Sequence, residues 1–523
     1  MNLHDTNSKT YPVTAARFYE NGASMKEKLV KSSVFRVIEI VTVTIISLAL
    51  TPYLIKHLGD ENYGLWLLIL STLGWFNFID LGFSSAVKRE IAIALEKSDH
   101  QRINIVFSVA VVLFGVLGVV AAICIVVLAL VPALLGINSG SQNIAAIALS
   151  VLAIKVLLDF IMNSFHGFFT AYLRMDIDAN ISLLNTMIKS ALVVYLVVDL
   201  NIYGAVIATI TADMITHCLK VYYAQKLNRG FKFSLKFVTL SEVKYLFSYS
   251  KHLVAAGIAN IILRRSDPVV ISHILGLKSV ALYGVINNLI NQIESLVEAI
   301  VGVFNPMLNR LVARNTAIDD VFKHIVDVNF FVVILLYTPL AILAEDFIFL
   351  WIGSEYAQYA GLASILGFAY ICKSISRPIG AVLLAQANHK LMSVISFIGA
   401  LLNISLSIIF AYNWGLFGVA VATAVSFFIS EVLLNLWLLK RYNNFSVILP
   451  AIKFTVLLLT YITLVFIGKL TFETIPPLTW FELTFFAGVI VITLLTLSWF
   501  LILAPKMREQ LICMVLKKEI PVK

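Results

Sequence analysis

The sequence has few charged residues, and this scarcity excludes most classes of soluble protein. Only 13% of its 523 residues are Asp, Glu, Lys or Arg, whereas 60% are hydrophobic and the mean hydropathy is +0.92. A soluble domain carries roughly 25% charged residues, which cover its surface. Intrinsic disorder is excluded as well, because disordered chains are poor in apolar residues. The class that remains is a polytopic helical membrane protein.

Cysteine, glycine and proline are also scarce. Four Cys, 25 Gly and 12 Pro exclude a disulfide-stapled secreted domain and a collagen-like chain. No CxxC pair and no Cys/His cluster at zinc spacing is present, so no metal site is predicted. Residues 1–30 lack the apolar core of a cleavable signal peptide. Met25 opens a start-like stretch, and residues 1–24 are interpreted as a loose extension or a misplaced start.

Long apolar runs, separated by polar breaks, predict about fourteen membrane-spanning helices. A bilayer core of about 30 Å needs about 20 apolar residues per helix. The predicted spans are 33–55, 63–83, 104–131, 143–165, 179–199, 203–225, 252–274, 281–304, 326–351, 361–385, 391–412, 415–439, 452–470 and 483–504. The predicted fold class is therefore an all-α integral membrane protein.

Basic residues are distributed unevenly between the two sides of these spans. With the N-terminus inside, only Lys56, Lys278 and Lys469 fall on the outer side. Cytoplasmic loops are rich in Lys and Arg, so both termini are predicted to be cytoplasmic. The net charge is +9, and the basic residues behind it lie beside the inner ends of the helices. Because this placement suits the inner membrane surface, no nucleic-acid partner is expected.

The two halves of the chain resemble each other. Tyr-Gly pairs occur at 63–64 and 283–284, and small residues recur at every fourth position after Gly204 and Gly418. Such faces allow helices to approach closely. The sequence therefore predicts two parallel pseudo-repeats of six helices plus two C-terminal helices. Parallel repeats of this kind are a transporter architecture in which the site lies between the halves.

The predicted organisation has six parts. They are a cytoplasmic N-terminal segment at 1–32, a first six-helix lobe at 33–225, a cytoplasmic amphipathic linker at 226–251, a second six-helix lobe at 252–439, extra helices 13 and 14 at 440–504, and a cytoplasmic tail at 505–523. The linker is basic and amphipathic, so we expect it to lie at the anionic inner leaflet.

One segment carries a family resemblance. Residues 53–99, YLIKHLGDENYGLWLLILSTLGWFNFIDLGFSSAVKREIAIALEKSD, resemble the opening signature of the polysaccharide transporters of the MATE-like (MOP) superfamily. That family includes the Wzx-type flippases of O-antigen and other lipid-linked oligosaccharides. A looser match, RRSDPVVISHILGLKSVALYGVINNL, lies at 264–289. The resemblance covers about twelve helices, and helices 13 and 14 are an addition seen in some members.

Several charged residues lie inside the predicted spans, where each costs about 2.5–3.5 kcal/mol at a helix centre on insertion scales. Lys155 and Asp159 are spaced i,i+4 and are interpreted as a structural pair. Asp213 and Glu431 are interpreted as capping or interhelical hydrogen-bonding groups. Asp80 is interpreted as a helix stop that hydrogen-bonds at a gate.

Spans seven and eight are more polar than the others. Asn260, Arg264 and Asp267 share one face of span seven, and Arg265 adds a second positive charge. Span eight carries a polar stripe that consists of Asn287, Asn291, Glu294, Glu298 and Asn305. At 1.5 Å per residue, this stripe is about 27 Å long. Such a stripe cannot face lipid. It is either a ladder to span seven, with Arg264 or Arg265 pairing Glu294, or the wall of a water-filled cavity, which we favour.

The resemblance implies that spans one, two, seven and eight line a central cavity. Guanidinium groups bind phosphate bidentately and stay charged when partly desolvated. The substrate-binding candidates are Arg36, Arg264, Arg265, Asn287 and Asn291, and the coupling or gating candidates are Glu39, Asp80, Asp267, Glu294 and Glu298. Lys373 and Arg377 are secondary basic candidates that either extend this patch or pair with acids across the bundle.

The family resemblance, together with the basic candidates, implies a flippase of the bacterial cytoplasmic (inner) membrane. Its cargo would be a polyprenyl-diphosphate-linked oligosaccharide, such as an O-antigen, capsule or exopolysaccharide repeat unit, moved from the inner to the outer leaflet by alternating access. No catalytic residues and no cofactor are expected, and the membrane potential or a proton or sodium gradient would drive transport. Partners would be the cargo, membrane lipids, and the polysaccharide polymerase and chain-length machinery.

Two alternatives stay open at this stage. The first is a cation-coupled drug exporter of the same superfamily, which an acidic cavity would favour. The second is a non-transporting membrane scaffold that organises a glycan-assembly complex.

Overall fold

The described part of the protein is built from helices. A computed structural model describes residues 22–76, 83–172, 174–227, 232–246, 265–302, 318–385, 390–442, 448–474 and 479–501, and the single positions 304, 308, 311, 312 and 508. Within these ranges every regular element is helical, which agrees with the predicted all-α class. High apolar content and the need to satisfy backbone polar groups internally both favour helices in a bilayer.

The α-helices run in the following order. They are α1 (Gly22–Trp75), α2 (Phe83–Glu96), α3 (His100–Leu130), α4 (Ser139–Ala171), α5 (Met175–Leu227), α6 (Asp267–Leu275), α7 (Leu277–Gly302), α8 (Asp319–Ile352), α9 (Ser354–Ala357), α10 (Gly361–Ser374), α11 (Ser376–Ala385), α12 (Lys390–Phe427), α13 (Asn435–Tyr442), α14 (Ile448–Thr474) and α15 (Trp480–Leu501). A π-helical stretch, Phe428–Leu434, joins α12 to α13.

Eight helices of the described part are long and apolar enough to cross a membrane. They are Ile38–Trp75, His100–Leu130, Ser139–Ala171, Asp176–Leu227, Asp319–Ile352, Met392–Arg441, Ile448–Phe472 and Trp480–Phe500. The longest has 52 residues, which would make a straight rod of about 78 Å at 1.5 Å per residue. That length is more than twice the bilayer core. The count of fourteen spans itself stays a prediction.

The longest helices contain backbone breaks that divide them. Gly59 in α1 has φ 74°, Asn201 in α5 has φ 52°, and Gly415 in α12 has φ 58°. Positive φ is accessible mainly to glycine and, among the other residues, to asparagine. Each break lies at or beside a predicted turn between two spans, and it divides its helix into two helical segments.

Breaks in the two halves of the chain correspond in conformation. Asn201 (φ 52°, ψ −133°) matches Gly415 (φ 58°, ψ −137°), and Gly59 (φ 74°, ψ 164°) matches Gly276 (φ 83°, ψ 172°). Asn201 and Gly415 stand 214 positions apart, the same offset that relates the small-residue faces of the sequence. This correspondence supports the two-repeat layout, which stays a prediction.

The first lobe (described residues 22–227) meets the second lobe (described residues 265–442) through α1 and α7. A Cβ atom on Gly64 would lie 1.9 Å from the carbonyl oxygen of Leu277, and one on Gly284 would lie 2.4 Å from Cδ1 of Leu67. The two Tyr-Gly pairs therefore face each other's lobes at this contact.

The C-terminal helices α14 and α15 pack against α8 of the second lobe. Lys453 of α14 forms an ion pair with the buried Asp327 of α8. The Tyr461 hydroxyl donates to the carbonyl oxygen of Ser364, at 2.8 Å. These polar contacts attach the extra helices to one lobe only.

The described part of the linker, residues 232–246, is bound to the first lobe. The backbone N–H of Lys232 donates to Oδ1 of Asn104, at 3.0 Å, and that of Ser234 donates to Oγ of Ser108, at 3.1 Å. Arg102 forms an ion pair with Glu242 at 2.5 Å. The linker is therefore attached to α3, while its expected position at the inner leaflet stays a prediction.

Candidate functional site

Some predicted site residues lie outside the described part of the protein. Positions 80, 260, 264 and 305 are not described, and at position 36 only the helical backbone is. The predicted roles of Asp80, Arg264 and Arg36 therefore stay predictions. The described candidates are Glu39, Arg265, Asp267, Asn287, Asn291, Glu294, Glu298, Lys373 and Arg377.

The carboxylate of Glu294 is the centre of an ion cluster in the second lobe. It is 1% exposed, and its Oε1 lies 2.7 Å from Nζ of Lys373. Its Oε2 pairs with the guanidinium of Arg377 and accepts a hydrogen bond from the Tyr337 hydroxyl, at 3.1 Å. Arg377 also donates to Oδ1 of Asn329, at 3.2 Å. The cluster joins α7, α8, α10 and α11.

This cluster bears on two interpretations made from the sequence. The pairing of Glu294 with Arg265, the less favoured interpretation of the polar stripe, is not observed, because α10 and α11 bring Lys373 and Arg377 to both carboxylate oxygens. Of the two possibilities for Lys373 and Arg377, pairing with an acid across the bundle is the one observed. Sequence spacing could not show this, because the partners are about 80 positions apart and meet only through helix packing.

The other described residues of the polar stripe on α7 differ in burial: some contact neighbouring helices, and one is exposed. Asn287 and Asn291 are half-buried, and the Tyr370 hydroxyl donates to Oδ1 of Asn291, at 3.2 Å. Glu298, one turn beyond Glu294, is exposed. From Asn291 to Glu294 the stripe therefore faces neighbouring helices, so this part of it is not a continuous water-facing wall.

Asp267 is a buried carboxylate between α6, α7 and α12. Its Oδ2 accepts from the Tyr283 hydroxyl, at 2.7 Å, and from Oγ1 of Thr423, at 3.4 Å. Nδ2 of Asn403 donates to the same Thr423, at 3.1 Å. Oδ1 of Asp267 is buried, and no described group hydrogen-bonds to it. A carboxylate in this setting is suited to exchange a cation or a proton.

A polar cavity of about 520 Å³ lies in the first lobe, with Arg265 at its boundary. It is lined by Leu70, Leu73, Gly74, Leu152, Lys155, Val156, Asp159, Phe160, Met162, Asn163, Asp178, Ile181, Ser182, Asn185, Thr209, Asp213, Thr216, His217, Lys220 and Arg265. These residues come from the end of the lobe that is predicted to face the cytoplasm. The backbone carbonyl of Arg265 accepts hydrogen bonds from Ser71 and Trp75, each at 2.9 Å, which hold position 265 against α1.

Lys155 is the centre of a network inside this cavity. It pairs with Asp159 on its own helix, as the i,i+4 spacing predicts, and also with Asp213 of α5, at 3.1 Å. Nδ2 of Asn185 donates to Oδ1 of Asp213, at 2.7 Å. Nε2 of His217 lies 3.2 Å from Oδ1 of Asp159. The interhelical hydrogen bonding expected of Asp213 is therefore observed.

The convergence of these residues on one cavity was missed at the level of sequence. The sequence interpretation treats Lys155 with Asp159 as a structural pair and Asp213 as a separate capping or hydrogen-bonding group. The available signal was that two i,i+4 polar pairs occupy the inner halves of spans four and six, beside the polar Asn185 of span five. Polar residues at matching depth on sequential helices are expected to meet.

On the predicted outer side, polar contacts join the two lobes. The Tyr356 hydroxyl donates to Oδ1 of Asp60, at 2.6 Å, and Lys278 pairs with both Asp60 and Glu355. Burial, together with the hydrogen bond to Asp60, raises the pKa of Tyr356 above its usual value, so its hydroxyl keeps the proton that it donates. Trp351 donates to the carbonyl oxygen of Leu48, at 2.9 Å. The lobes are thus in contact on this side.

Comparison with known proteins gives a family and several relatives. A family model described as polysaccharide biosynthesis protein matches residues 29–312. EpsK, an uncharacterized membrane protein of Bacillus subtilis (strain 168), is 21% identical, with 77% of this chain and 81% of the relative covered. A Shigella flexneri protein provisionally named as an O-antigen transporter is also 21% identical, with 79% and 98% covered.

Solved structures show the same fold. A multidrug resistance MATE family transporter of the MOP superfamily, in an inward-facing conformation, gives a TM-score of 0.59 at 16% identity, with 81% of this chain and 98% of that chain covered. The lipid II flippase MurJ, in an inward closed conformation, gives a TM-score of 0.60 at 14% identity, with 84% and 98% covered.

Proposed function

Because the chain belongs to the polysaccharide biosynthesis protein family, we propose that it is a flippase for a polyprenyl-diphosphate-linked oligosaccharide. The cargo would be an O-antigen, capsule or exopolysaccharide repeat unit, and it would move from the inner to the outer leaflet of a bacterial cytoplasmic membrane. The lobes would rock about their contact at α1 and α7, so the site opens to each side in turn. Transport requires no catalytic group and no cofactor.

The observation that carries this proposal is a polar cavity inside a mostly apolar helical bundle. The cavity lies at the predicted cytoplasmic end of the first lobe, beside Arg265, where a lipid-linked cargo made inside the cell would enter. Ionisable groups inside a membrane are expensive, and they usually mark the path of a polar substrate. The family membership supports a saccharide as the proposed substrate class.

The diphosphate would bind where span seven borders the cavity. The side chain of Arg265 is exposed and approaches Gly74, so that a Cβ atom on Gly74 would lie 3.0 Å from its Nε. A glycine at this position gives the guanidinium room beside α1. Arg264 and Arg36 remain the proposed partners of Arg265 for the phosphates, with Asn287 and Asn291 as neighbouring polar groups on α7.

The energy source would be an ion gradient acting at a buried acid. Asp267 is the proposed coupling residue, because one of its oxygens is buried without a hydrogen bond from any described group. Glu39 is also buried and remains a second candidate. Glu294 is less suited to exchange an ion, since both of its oxygens are held by cations.

A reconstituted transport assay tests the proposal. The full chain would be placed in proteoliposomes with a fluorescent undecaprenyl-diphosphate disaccharide, and the fraction exposed on each leaflet would be followed with a membrane-impermeant quencher. We expect translocation above that of protein-free vesicles, and a loss of at least tenfold in the Arg265→Ala variant. Lys56→Ala, at an exposed position on the predicted outer side, serves as the cation control for the loss of a positive charge.

The same vesicles separate the alternatives. Drug accumulation driven by a cation gradient, without lipid translocation, would identify a drug exporter, the activity of the multidrug resistance transporter that shares the fold. Absence of both activities from a folded protein would favour a scaffold for glycan assembly. Pull-down of the polysaccharide polymerase or chain-length machinery would then test the proposed partners.

A further inference from the structure

The cavity of the first lobe has a charge balance that distinguishes between parts of a lipid-linked saccharide. Its lining contains three Lys or Arg residues and three Asp residues, so these charges cancel. Lys155 is held between Asp159 and Asp213, and a phosphate would have to displace those carboxylates to reach it. Such a lining does not favour an anion. It offers dense hydrogen-bonding groups to a neutral, polyhydroxylated molecule instead.

Several polar groups of the cavity lining have donor or acceptor atoms that no described group of the protein uses. The imidazole of His217 is 9% exposed and lines the cavity, and no described group hydrogen-bonds to its Nδ1. Within the described part of the chain, the amide of Asn163 and the hydroxyl of Ser182 also line the cavity without forming a side-chain hydrogen bond. Of these three groups only the Nδ1 atom of His217 is buried, and an unpaired buried polar atom is costly, so it favours a ligand that supplies a partner. Asn163 is half-buried and Ser182 is exposed, so both side chains are accessible to the same ligand.

The size and position of the cavity fit one end of the cargo. About 520 Å³ lies within the range of small-molecule pockets, about 300–1,000 Å³. Arg265 borders the cavity while Asn163 and His217 lie on α4 and α5. A headgroup whose diphosphate is held at Arg265 could therefore extend its sugars into the first lobe.

From this geometry we propose that the first-lobe cavity is the saccharide-binding subsite, in which Asn163, Ser182 and His217 hydrogen-bond to sugar hydroxyl or acetamido groups. This inference rests on the proposed flippase function and assigns the sugar to the first lobe. Glu294 of the α7 stripe is not part of this subsite, because its carboxylate is paired with Lys373 and Arg377.

A binding comparison tests the subsite directly. The full chain in nanodiscs would be titrated with undecaprenyl diphosphate and with undecaprenyl diphosphates carrying N-acetylglucosamine, glucose or galactose. The variant is Asn163→Leu/Ser182→Ala, which leaves the ion pairs of Lys155 intact. Its control is Asn143→Leu, the same asparagine change at the exposed, opposite end of the same helix α4.

We expect the wild type to bind at least one sugar-bearing lipid more tightly than undecaprenyl diphosphate. Loss of two hydrogen bonds should weaken that binding by about five- to tenfold in the double variant. Affinity for undecaprenyl diphosphate should stay within twofold, and the Asn143→Leu control should resemble the wild type for every lipid.

Other outcomes would overturn the proposal in distinguishable ways. Equal weakening for the sugar-free and sugar-bearing lipids would mean that the cavity binds phosphate or that its contribution is structural. No preference for any sugar-bearing lipid in the wild type would remove the saccharide subsite while leaving the flippase function in place. Failure of the wild type to bind any of these lipids would remove the proposed function itself.

Discussion

At the scale of single residues, the two lobes hold their buried charges in opposite arrangements. In the first lobe one lysine, Lys155, pairs with the two carboxylates of Asp159 and Asp213. In the second lobe one carboxylate, Glu294, pairs with the two cations of Lys373 and Arg377. Desolvated charges persist only with such partners, and removal of one partner leaves the others uncompensated.

The Glu294→Gln variant tests this dependence. Two cations that are each about 12% exposed would lose their counter-charge, which typically costs about 3–5 kcal/mol in a buried pair. We expect a clear fall in the thermal unfolding temperature of the detergent-solubilised protein. Replacing Glu294, Lys373 and Arg377 together with methionine should recover most of that stability, and no recovery would argue against an electrostatic cause.

At the scale of helices, glycines determine how closely the two lobes approach. Gly64 of α1 faces the backbone of Leu277, which cannot move without displacing the start of α7. Gly284 of α7 faces only the tip of the Leu67 side chain, which can rotate away. The two positions are related by the predicted repeat, but the physical constraint on them is unequal.

Alanine at these positions should therefore have unequal effects. Gly64→Ala is expected to cost about 1–3 kcal/mol through overpacking, whereas Gly284→Ala should cost less. Gly140 is the control, since a Cβ atom there would have no neighbour within 4 Å. Thermal unfolding of the three variants provides the measurement, and equal losses at positions 64 and 284 would contradict the argument.

At the scale of the whole molecule, the described contacts between lobes include a polar set on the predicted outer side. Asp60 of the first lobe is linked there to Tyr356 and Lys278 of the second. Alternating access would require these contacts to separate when the cavity opens outward. They therefore form an outer gate in the proposed cycle.

A cross-link tests the outer gate. In a chain whose four cysteines are replaced by alanine, Asp60→Cys/Tyr356→Cys would be joined with a short bismaleimide. Translocation should then fall by more than tenfold, because the outer side can no longer open. A pair within the first lobe, Tyr53→Cys/Val194→Cys, provides the control, since Tyr53 contacts the carbonyl of Val194 at 2.6 Å. Undiminished transport after complete joining of positions 60 and 356 would contradict the gate.

Sequence reasoning succeeded where local rules decide the outcome. The helical class follows from composition, the turns at Asn201 and Gly415 follow from polar breaks, and the Lys155–Asp159 pair follows from helix geometry. The partners of Glu294 and the shared cavity around Asp213 could not be predicted in this way. They depend on which faces of distant helices are brought together, and hydrophobic periodicity says little about rotation when a helix is apolar all round.

The ion cluster of the second lobe also has an electrical consequence. Glu294, Lys373 and Arg377 together carry one surplus positive charge inside the membrane. When a unit charge crosses the whole membrane at a potential of 100 mV, its electrostatic energy changes by about 2.3 kcal/mol. Rocking of the second lobe would carry this charge through part of that field. The equilibrium between inward and outward states should thus respond to voltage even when the cavity is empty, and reorientation should produce a measurable displacement current.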